Sequence, residues 1–361
     1  MAAVPDTSAS AGAWYSDPGI DSDVVLSTRI RLARNLANFP FPENFKGDDC
    51  DRVQILVFDA FSHFTDPDSF QAVEVHNLDE NGLKILTERG VVGMPTGTGI
   101  IMRSDGRAAC NVNCIDHVRI ASFVTGLDCD SAYTVCRSID DEMQQYVQFA
   151  ASYEFGFLTA GIADAGSGMK ISLRVHLPSA SYTGRIEELS RFLLSKGLSM
   201  TTCFGSGGLF GLSLGAYYQI STVSSFTGSE MDQLAAVTAA GKYIIETERK
   251  IRGECAENKP TALHDIVYRA FALAKYSRLI TFREAVETLS AVKWGCDLKY
   301  ITGIDDSSLC ALLYRVQDGH LNFLLRNGTF TFEKDIEADP GQRTNRLRAL
   351  ILQEAFEKGD L

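Results

Sequence analysis

Residues Ser27 to Asn35 read S-T-R-I-R-L-A-R-N, behind an apolar run of Val24, Val25 and Leu26 and ahead of a turn ending at Pro42. In an extended segment, residues two apart project to the same side. Arg29 and Arg31 then present two guanidinium forks to one point, whereas on a helix they would lie about 200° apart and diverge. A guanidinium is planar, permanently charged and bidentate toward phosphate oxygens, so two converging forks suit a polyphosphate. A pair of solvated surface arginines is the plain alternative at this point.

The chain has 361 residues, 45% of them hydrophobic and 22% charged, enough for two domains with cores. A net charge of -12 and a pI of about 5.0 argue against nucleic acid and against an anionic membrane as partners, and leave a protein partner or protein substrate open. No apolar run is long enough to span a bilayer. Met1 to Gly12 lacks the basic and apolar regions of a signal peptide and reads as a frayed tail. The nine cysteines are scattered without a C-x-x-C pair. That pattern indicates neither a zinc site nor a disulfide framework, and fits reduced thiols in a cytoplasmic protein.

Along the chain, Asp49 to Phe64 has helical spacing of apolar residues, and Gly93 to Thr98 is turn chemistry. Ile100 to Arg103 and Ala108 to Val112 read as strands joined through Ser104-Asp105-Gly106. Ile139 to Tyr153 reads as a helix with acidic residues at its start. Met169 to Leu177 alternates: Ile171, Leu173, Val175 and Leu177 face a core, while Lys170, Ser172, Arg174 and His176 face the other way. Such a basic strand face is either a solvated edge or looks at an anion. Gly205 to Gly215 matches neither a Walker A loop nor a dinucleotide fingerprint and reads as a turning loop. Tyr217 to Thr222 is strand-like. Ser229-x-x-Asp232 is a capping box opening a helix through Arg252. After the Lys259-Pro260 break come Ala262 to Tyr276, Thr281 to Leu289 and a mostly helical remainder. The class expected is α+β, an antiparallel sheet flanked by helices plus an α-helical C-terminal domain. The expected division is a disordered tail over 1–20, a sheet-bearing domain over 21–255 and a helical domain over 256–361.

These pieces together resemble the ATP:guanidino phosphotransferase (phosphagen kinase) superfamily, and within it the bacterial protein-arginine kinase branch. The matching stretches run from D-S-D-V-V-L-S-T-R-I-R-L-A-R-N-L at Asp21 to Leu36, through D-H-V-R-I at Asp116 to Ile120 and S-I-D-D-E at Ser138 to Glu142. They continue with F-G-F-L-T-A at Phe155 to Ala160 and G-S-G-M-K-I-S-L-R-V-H-L-P at Gly166 to Pro178. Y-R-A-F-A-L-A-K-Y-S-R at Tyr268 to Arg278 and E-A-V-E-T-L-S-A-V-K-W-G-C-D-L-K-Y-I at Glu284 to Ile301 complete the set. The resemblance implies ATP or ADP with Mg as cofactor, a homodimer formed through the helical domain, and protein arginine as substrate. It places Ser27, Thr28, Arg29, Ile30, Arg31, His117, Arg119, Lys170, Ile171, Ser172, Leu173, Arg174, Thr201 and Ser206 at the nucleotide. It also places a phosphoarginine pocket on the C-terminal domain.

The chain departs from the family where the chemistry is done. A guanidinium must be held flat, deprotonated and aligned with the γ-phosphate, which is work for carboxylates. The family's N-E-E-D-H motif reads Asn113, Cys114, Ile115, Asp116, His117 here, without either glutamate. Its R-G-x-x-G-E loop reads Thr201 to Ser206, its C-P-T-N stretch reads Gly161 to Asp164, an arginine is replaced by Lys170, and a histidine by Gly90. Asp116 and Asp164 are the nearby carboxylates that could substitute. The R-D-x-x-R-A pattern of the phosphoarginine pocket reads Thr344 to Ala349, leaving Arg346 and Arg348 as its remnant or as part of a solvated helix face. Three readings follow: a pseudo-enzyme that binds a partner, an active protein-arginine kinase with rewired groups, and a nucleotide sensor.

Overall fold

The computed structural model of the chain describes residues 14–93, 96–209, 211–226 and 228–361. The opening stretch forms strand β1 (Val25–Arg34). Then come α1 (Asp49–Ser62), β2 (Phe70–Glu74), α2 (Glu80–Glu88), β3 (Gly99–Arg103), β4 (Ala108–Val112), β5 (Val118–Thr125) and α3 (Cys129–Met143). Two short strands, β6 (Ala151–Ser152) and β7 (Gly156–Phe157), lead into β8 (Met169–His176), α4 (Pro178–Tyr182), α5 (Ile186–Ser195) and β9 (Leu198–Thr202). The glycine-rich stretch is a small hairpin of β10 (Ser206–Gly208) and β11 (Gly211–Ser213), followed by β12 (Tyr217–Thr222). The remainder is helical: α6 (Glu230–Asn258), α7 (Pro260–Tyr276), α8 (Phe282–Asp297), α9 (Asp306–Arg315), α10 (Asp318–Asn327) and α11 (Pro340–Ala355).

Eight strands make one sheet in the order β2-β3-β4-β5-β1-β8-β12-β9, antiparallel at every pairing. β1 sits at its centre because alternation makes it useful on both faces. Ile30 and Leu32 are wholly buried with Ile120, Ile171 and Leu173 under the apolar side of α3 and α6, each worth roughly 1.5–3 kcal/mol of burial. Arg29 and Arg31 project to the other face, which the C-terminal helices partly cover. Those helices build a second core that includes Leu26 and Tyr217 of the sheet.

Three expectations change. The acidic run at Asp140 to Glu142 closes α3 instead of opening a helix: α3 is capped at its start by Asp128, whose side chain accepts from the Ser131 amide at 2.9 Å. Asp140 is drawn inward by Arg34 from β1, an ion pair with both side chains fully buried, which overrides any preference of acids for a helix start. Second, residues 14–20 do not belong to a disordered tail, because Trp14 and Tyr15 are buried against Phe123 and Tyr314; Met1 to Ala13 lie outside the described residues. Third, residue 255 falls inside α6, which Ser229 and Asp232 cap as a capping box and which runs to Asn258. Proline at 260 then starts α7 where its missing N–H is tolerated.

An ion network joins α6, α8, α9 and the turn before β1. Lys293 Nζ reaches Asp306 at 2.8 Å and Asp297 at 3.4 Å, and Arg252 spans Asp23 at 3.0 Å and Asp297 at 3.6 Å. Burial outweighs both cations and pushes the Asp297 carboxyl up from 3.8 to about 6. The folded state therefore holds this proton more tightly than the unfolded state. Its contribution to stability is complete below about pH 3.8 and is lost as pH rises through about 6. Thermal melts of Asp297→Asn against the native chain are expected to shift in favour of the variant between pH 4 and 7. A difference that stays constant over that range would contradict the assignment.

Candidate functional site

The register of the three central strands assembles the cations. Arg29 lies opposite Ser172 of β8 and Phe123 of β5; Arg31 lies opposite Lys170 and Ala121; Ala33 lies opposite Arg119. Arg29, Arg31, Lys170 and Arg119 thus share one face of the sheet. Burial, followed by repulsion from Arg31 and Arg174, pushes the Arg29 guanidinium down to about 9. Burial and then Arg119 lower Arg31, and burial and then Arg31 lower Lys170. All three stay cationic at neutral pH while disfavouring one another, a strain that an anion relieves. The turn at 90–93 closes over them: Asn111 Nδ2 donates to the Val91 carbonyl at 2.8 Å. Gly90, at φ 73°, would bring a Cβ to 3.6 Å from Arg29, so the position of the missing histidine faces the site.

The carboxylates divide sharply. Asp116 is fully buried and accepts from Asn35 Nδ2 at 2.9 Å, the Ala160 amide at 2.8 Å and Arg119 Nε at 3.1 Å. With those three donors, it organises the loop and is not available as a base. Asp164, in the turn Ile162–Asp164, accepts from Arg119 Nη2 at 3.3 Å with its side chain 26% exposed. It borders the hollow between Arg31 and Lys170, and is the only carboxylate lining the cationic hollows among the described residues. Cys114 and Ile115 line the largest of these hollows beside Arg29, Arg31 and Arg119. The two positions that lack glutamate are therefore positions that look into the site.

Several residues placed at the nucleotide lie elsewhere. His117 is fully buried: its Nδ1 accepts from the Leu36 amide at 2.9 Å, its Nε2 donates to the Pro40 carbonyl at 2.8 Å, and its ring stacks on Phe45. Both nitrogens are spent on chain geometry. Thr28 Oγ1 donates to the Gly126 carbonyl at 2.7 Å and accepts from the Asp128 amide at 3.1 Å. Ile30, Ile171 and Leu173 point into the opposite core, the consequence of period two in a strand whose other face is the cationic one. Thr201 lines a separate groove beside α5 at the edge of the sheet, and the Ser206 carbonyl takes Arg283 of α8 at 3.2 Å. Ser27 and Ser172 stay on the cationic face. His176 hydrogen-bonds Ser290 at 2.8 Å and stacks on Tyr217, a structural role. Arg346 and Arg348 form neither a pocket nor a solvated face. Arg348 is 1% exposed and donates to the carbonyls of Val316 and Ile280 and to Asn345 and Asp318, while Arg346 bonds Glu333 and the Arg278 carbonyl.

Arg89, Trp14 and Tyr314 line the site, with Tyr15 behind Tyr314, without having been singled out from sequence. Tyr314, on α9, accepts a hydrogen bond from Arg174 Nη1 at 2.9 Å. Trp14 stacks on Phe123 at 5.5 Å, and Tyr15 on Tyr314 at 4.3 Å. An adjacent Trp-Tyr pair inside a supposedly frayed tail was the available signal, since large aromatics are seldom left exposed without a reason.

An eight-stranded antiparallel sheet carrying arginines on its central strands, with helices behind it, defines a phosphagen-kinase fold. A lombricine kinase structure superposes with a TM-score of 0.56 at 19% identity, covering 65% of this chain and 69% of that one. The duplicated taurocyamine kinase of Schistosoma mansoni superposes with the same TM-score at 20% identity, over 65% of this chain and 34% of that one. The family model for the ATP:guanido phosphotransferase C-terminal catalytic domain matches residues 52–251, and that for the protein-arginine kinase McsB C-terminal domain matches residues 260–360. Protein-arginine kinases of Syntrophomonas wolfei and Halothermothrix orenii are each 30% identical, over 86% and 90% of this chain and 88% and 93% of theirs. The chain belongs to the ATP:guanidino phosphotransferase family, in its protein-arginine kinase branch.

The family's nucleotide fits this site in part. Arg29, Arg31 and Lys170, which have no hydrogen-bond acceptor among the described residues, suit its phosphates. The hollows on the cationic face, however, measure about 20, 80 and 10 Å³, against roughly 300–1,000 Å³ for ordinary ligand pockets, so none of these three hollows alone holds a nucleoside. Among the described residues no cluster of three His, Cys, Asp or Glu is placed to hold a metal ion, and no helix is long and apolar enough to cross a membrane.

Proposed function

We propose that this chain is a protein-arginine kinase family member that keeps an anion site, has lost the means to transfer a phosphoryl group to arginine, and acts by binding a protein partner. The observation that carries this is the pairing of Cys114 and Ile115 with the free cations Arg29 and Arg31 in one hollow: the phosphate-holding half is present and the guanidinium-holding half is thiol and hydrocarbon. Losing a general base typically removes about 10²–10⁴-fold in rate. Asp164 alone, already shared with Arg119, offers one carboxylate where two are needed to hold a planar cation and strip its proton. Incubation with Mg-ATP and an arginine-rich protein, followed by detection of acid-labile phosphoarginine, is expected to give none. Robust turnover that Asp164→Ala abolishes would replace this reading with that of an active kinase using Asp164.

A homodimer belongs to the same reading. It is supported by Leu273 and Tyr276 near the end of α7, both exposed. Sedimentation at micromolar concentration is expected to give twice the chain mass, and a monomer would remove this part.

A further inference from the structure

We propose that the cationic face takes a single tetrahedral phosphate-type oxyanion, free phosphate or the phosphoryl end of a modified protein side chain, and that Trp14, Tyr15 and Tyr314 close it to nucleotides. The proposal rests on the reading above that an anion site persists, and adds which anion it is.

The charge balance calls for an anion of this kind. Arg29, Arg31 and Lys170 have no hydrogen-bond acceptor among the described residues; Arg31 disfavours both Arg29 and Lys170, and Arg119 disfavours Arg31. Asp164 is the one anion bordering them among the described residues, and Arg119 shares it. A dianion with several acceptor oxygens would answer all three cations together. The space limits its size. The largest hollow holds about 80 Å³, a few times the roughly 30 Å³ share of one water and far short of a nucleotide.

The aromatic wall is built from distant parts of the chain. Trp14, Phe123, Tyr15 and Tyr314 are 3–8% exposed, and Trp14 also meets Tyr314 edge-on at 6.0 Å. Tyr314 occupies Arg174, the cation that would otherwise extend the site toward a longer ligand. The helix carrying Tyr314 is tied down nearby. Glu88, at the end of α2, accepts from the Gly319 amide at the start of α10 at 3.0 Å through both oxygens. Admitting a nucleoside therefore means breaking a dry contact and not merely rotating a surface side chain.

The test is calorimetric titration at constant ionic strength with inorganic phosphate, with peptides carrying phosphoarginine or phosphoserine, and with ATP and ADP plus Mg²⁺. The native chain is expected to bind phosphate or a phosphopeptide at least tenfold more tightly than ATP, the better of the two identifying the source. Arg31→Ala is expected to weaken that binding at least tenfold. Trp14→Ala with Tyr314→Ala is expected to raise ATP affinity at least tenfold relative to phosphate affinity. ATP binding to the native chain as tightly as phosphate overturns the proposal while leaving the anion site standing, and needs no variant to fold. Absence of binding by every ligand overturns both the proposal and the anion site. Phosphate binding that Arg31→Ala leaves unchanged overturns the assignment to this face.

Discussion

Cys114→Glu with Ile115→Glu, on a background in which Tyr314→Ala opens the cationic face, is expected to raise arginine phosphorylation about 10²–10⁴-fold over that background alone. Both positions are half-buried and already look into the hollow beside Arg31 and Arg119, so the new carboxylates need no backbone movement to reach it. They would accept from both edges of a substrate guanidinium and take its proton, which neither a thiol nor an isoleucine does. The rate should stay below that of a full family member, because Thr201 and Ser206 still stand where the family has arginine and glutamate, and groups acting as one unit are not additive. Phosphoarginine formation measured by acid lability decides the matter. Equal rates with and without the glutamates would show that the missing carboxylates do not limit the reaction.

Asp140→Ala is expected to cost about 3–5 kcal/mol of stability, among the largest single losses available in the chain. Arg34 is fully buried. Its Nε and Nη2 donate to the two oxygens of Asp140 at 2.9 and 3.0 Å, and its Nη1 donates to the carbonyls of Ala33 and Ser167. Its guanidinium also lies 3.6 Å from the centre of the Phe157 ring. Burial nonetheless raises the Asp140 carboxyl, with Arg34 pulling the other way, so the pair is not a large net gain over two apolar residues. Its strength lies in being complete: removing one partner leaves an uncompensated charge in a dry interior. Arg34→Met with Asp140→Leu should accordingly lose less than Asp140→Ala alone. Denaturant unfolding reads both variants, and a double variant at least as unstable as Asp140→Ala would refute the coupling.

Much of the site was readable because strands and caps obey short-range rules. Alternation in β8 sorted Lys170 from Ile171 and Leu173, although the family resemblance set Ile30, Ile171 and Leu173 at the nucleotide beside them, and the motif at 113–117 located Cys114 and Ile115 where they lie. His117 and Thr28 were misplaced for a different reason. A motif records which residues occur together, whereas their hydrogen bonds to Pro40, Leu36, Gly126 and Asp128 depend on loops folded back from elsewhere. α3 was displaced because an acidic run resembles a helix start until its buried partner on β1 is known.

By itself, the order of residues determined a central antiparallel sheet with a cationic side, a helical C-terminal third, and a family motif without its two glutamates. These are matters of period two, period 3.6 and residue identity, all local. What covers the cationic side was decided only by tertiary structure. Arg174 and Tyr314 meet across 140 residues of sequence, Trp14 arrives from the opposite terminus, and a contact between such distant segments leaves no periodic trace in either.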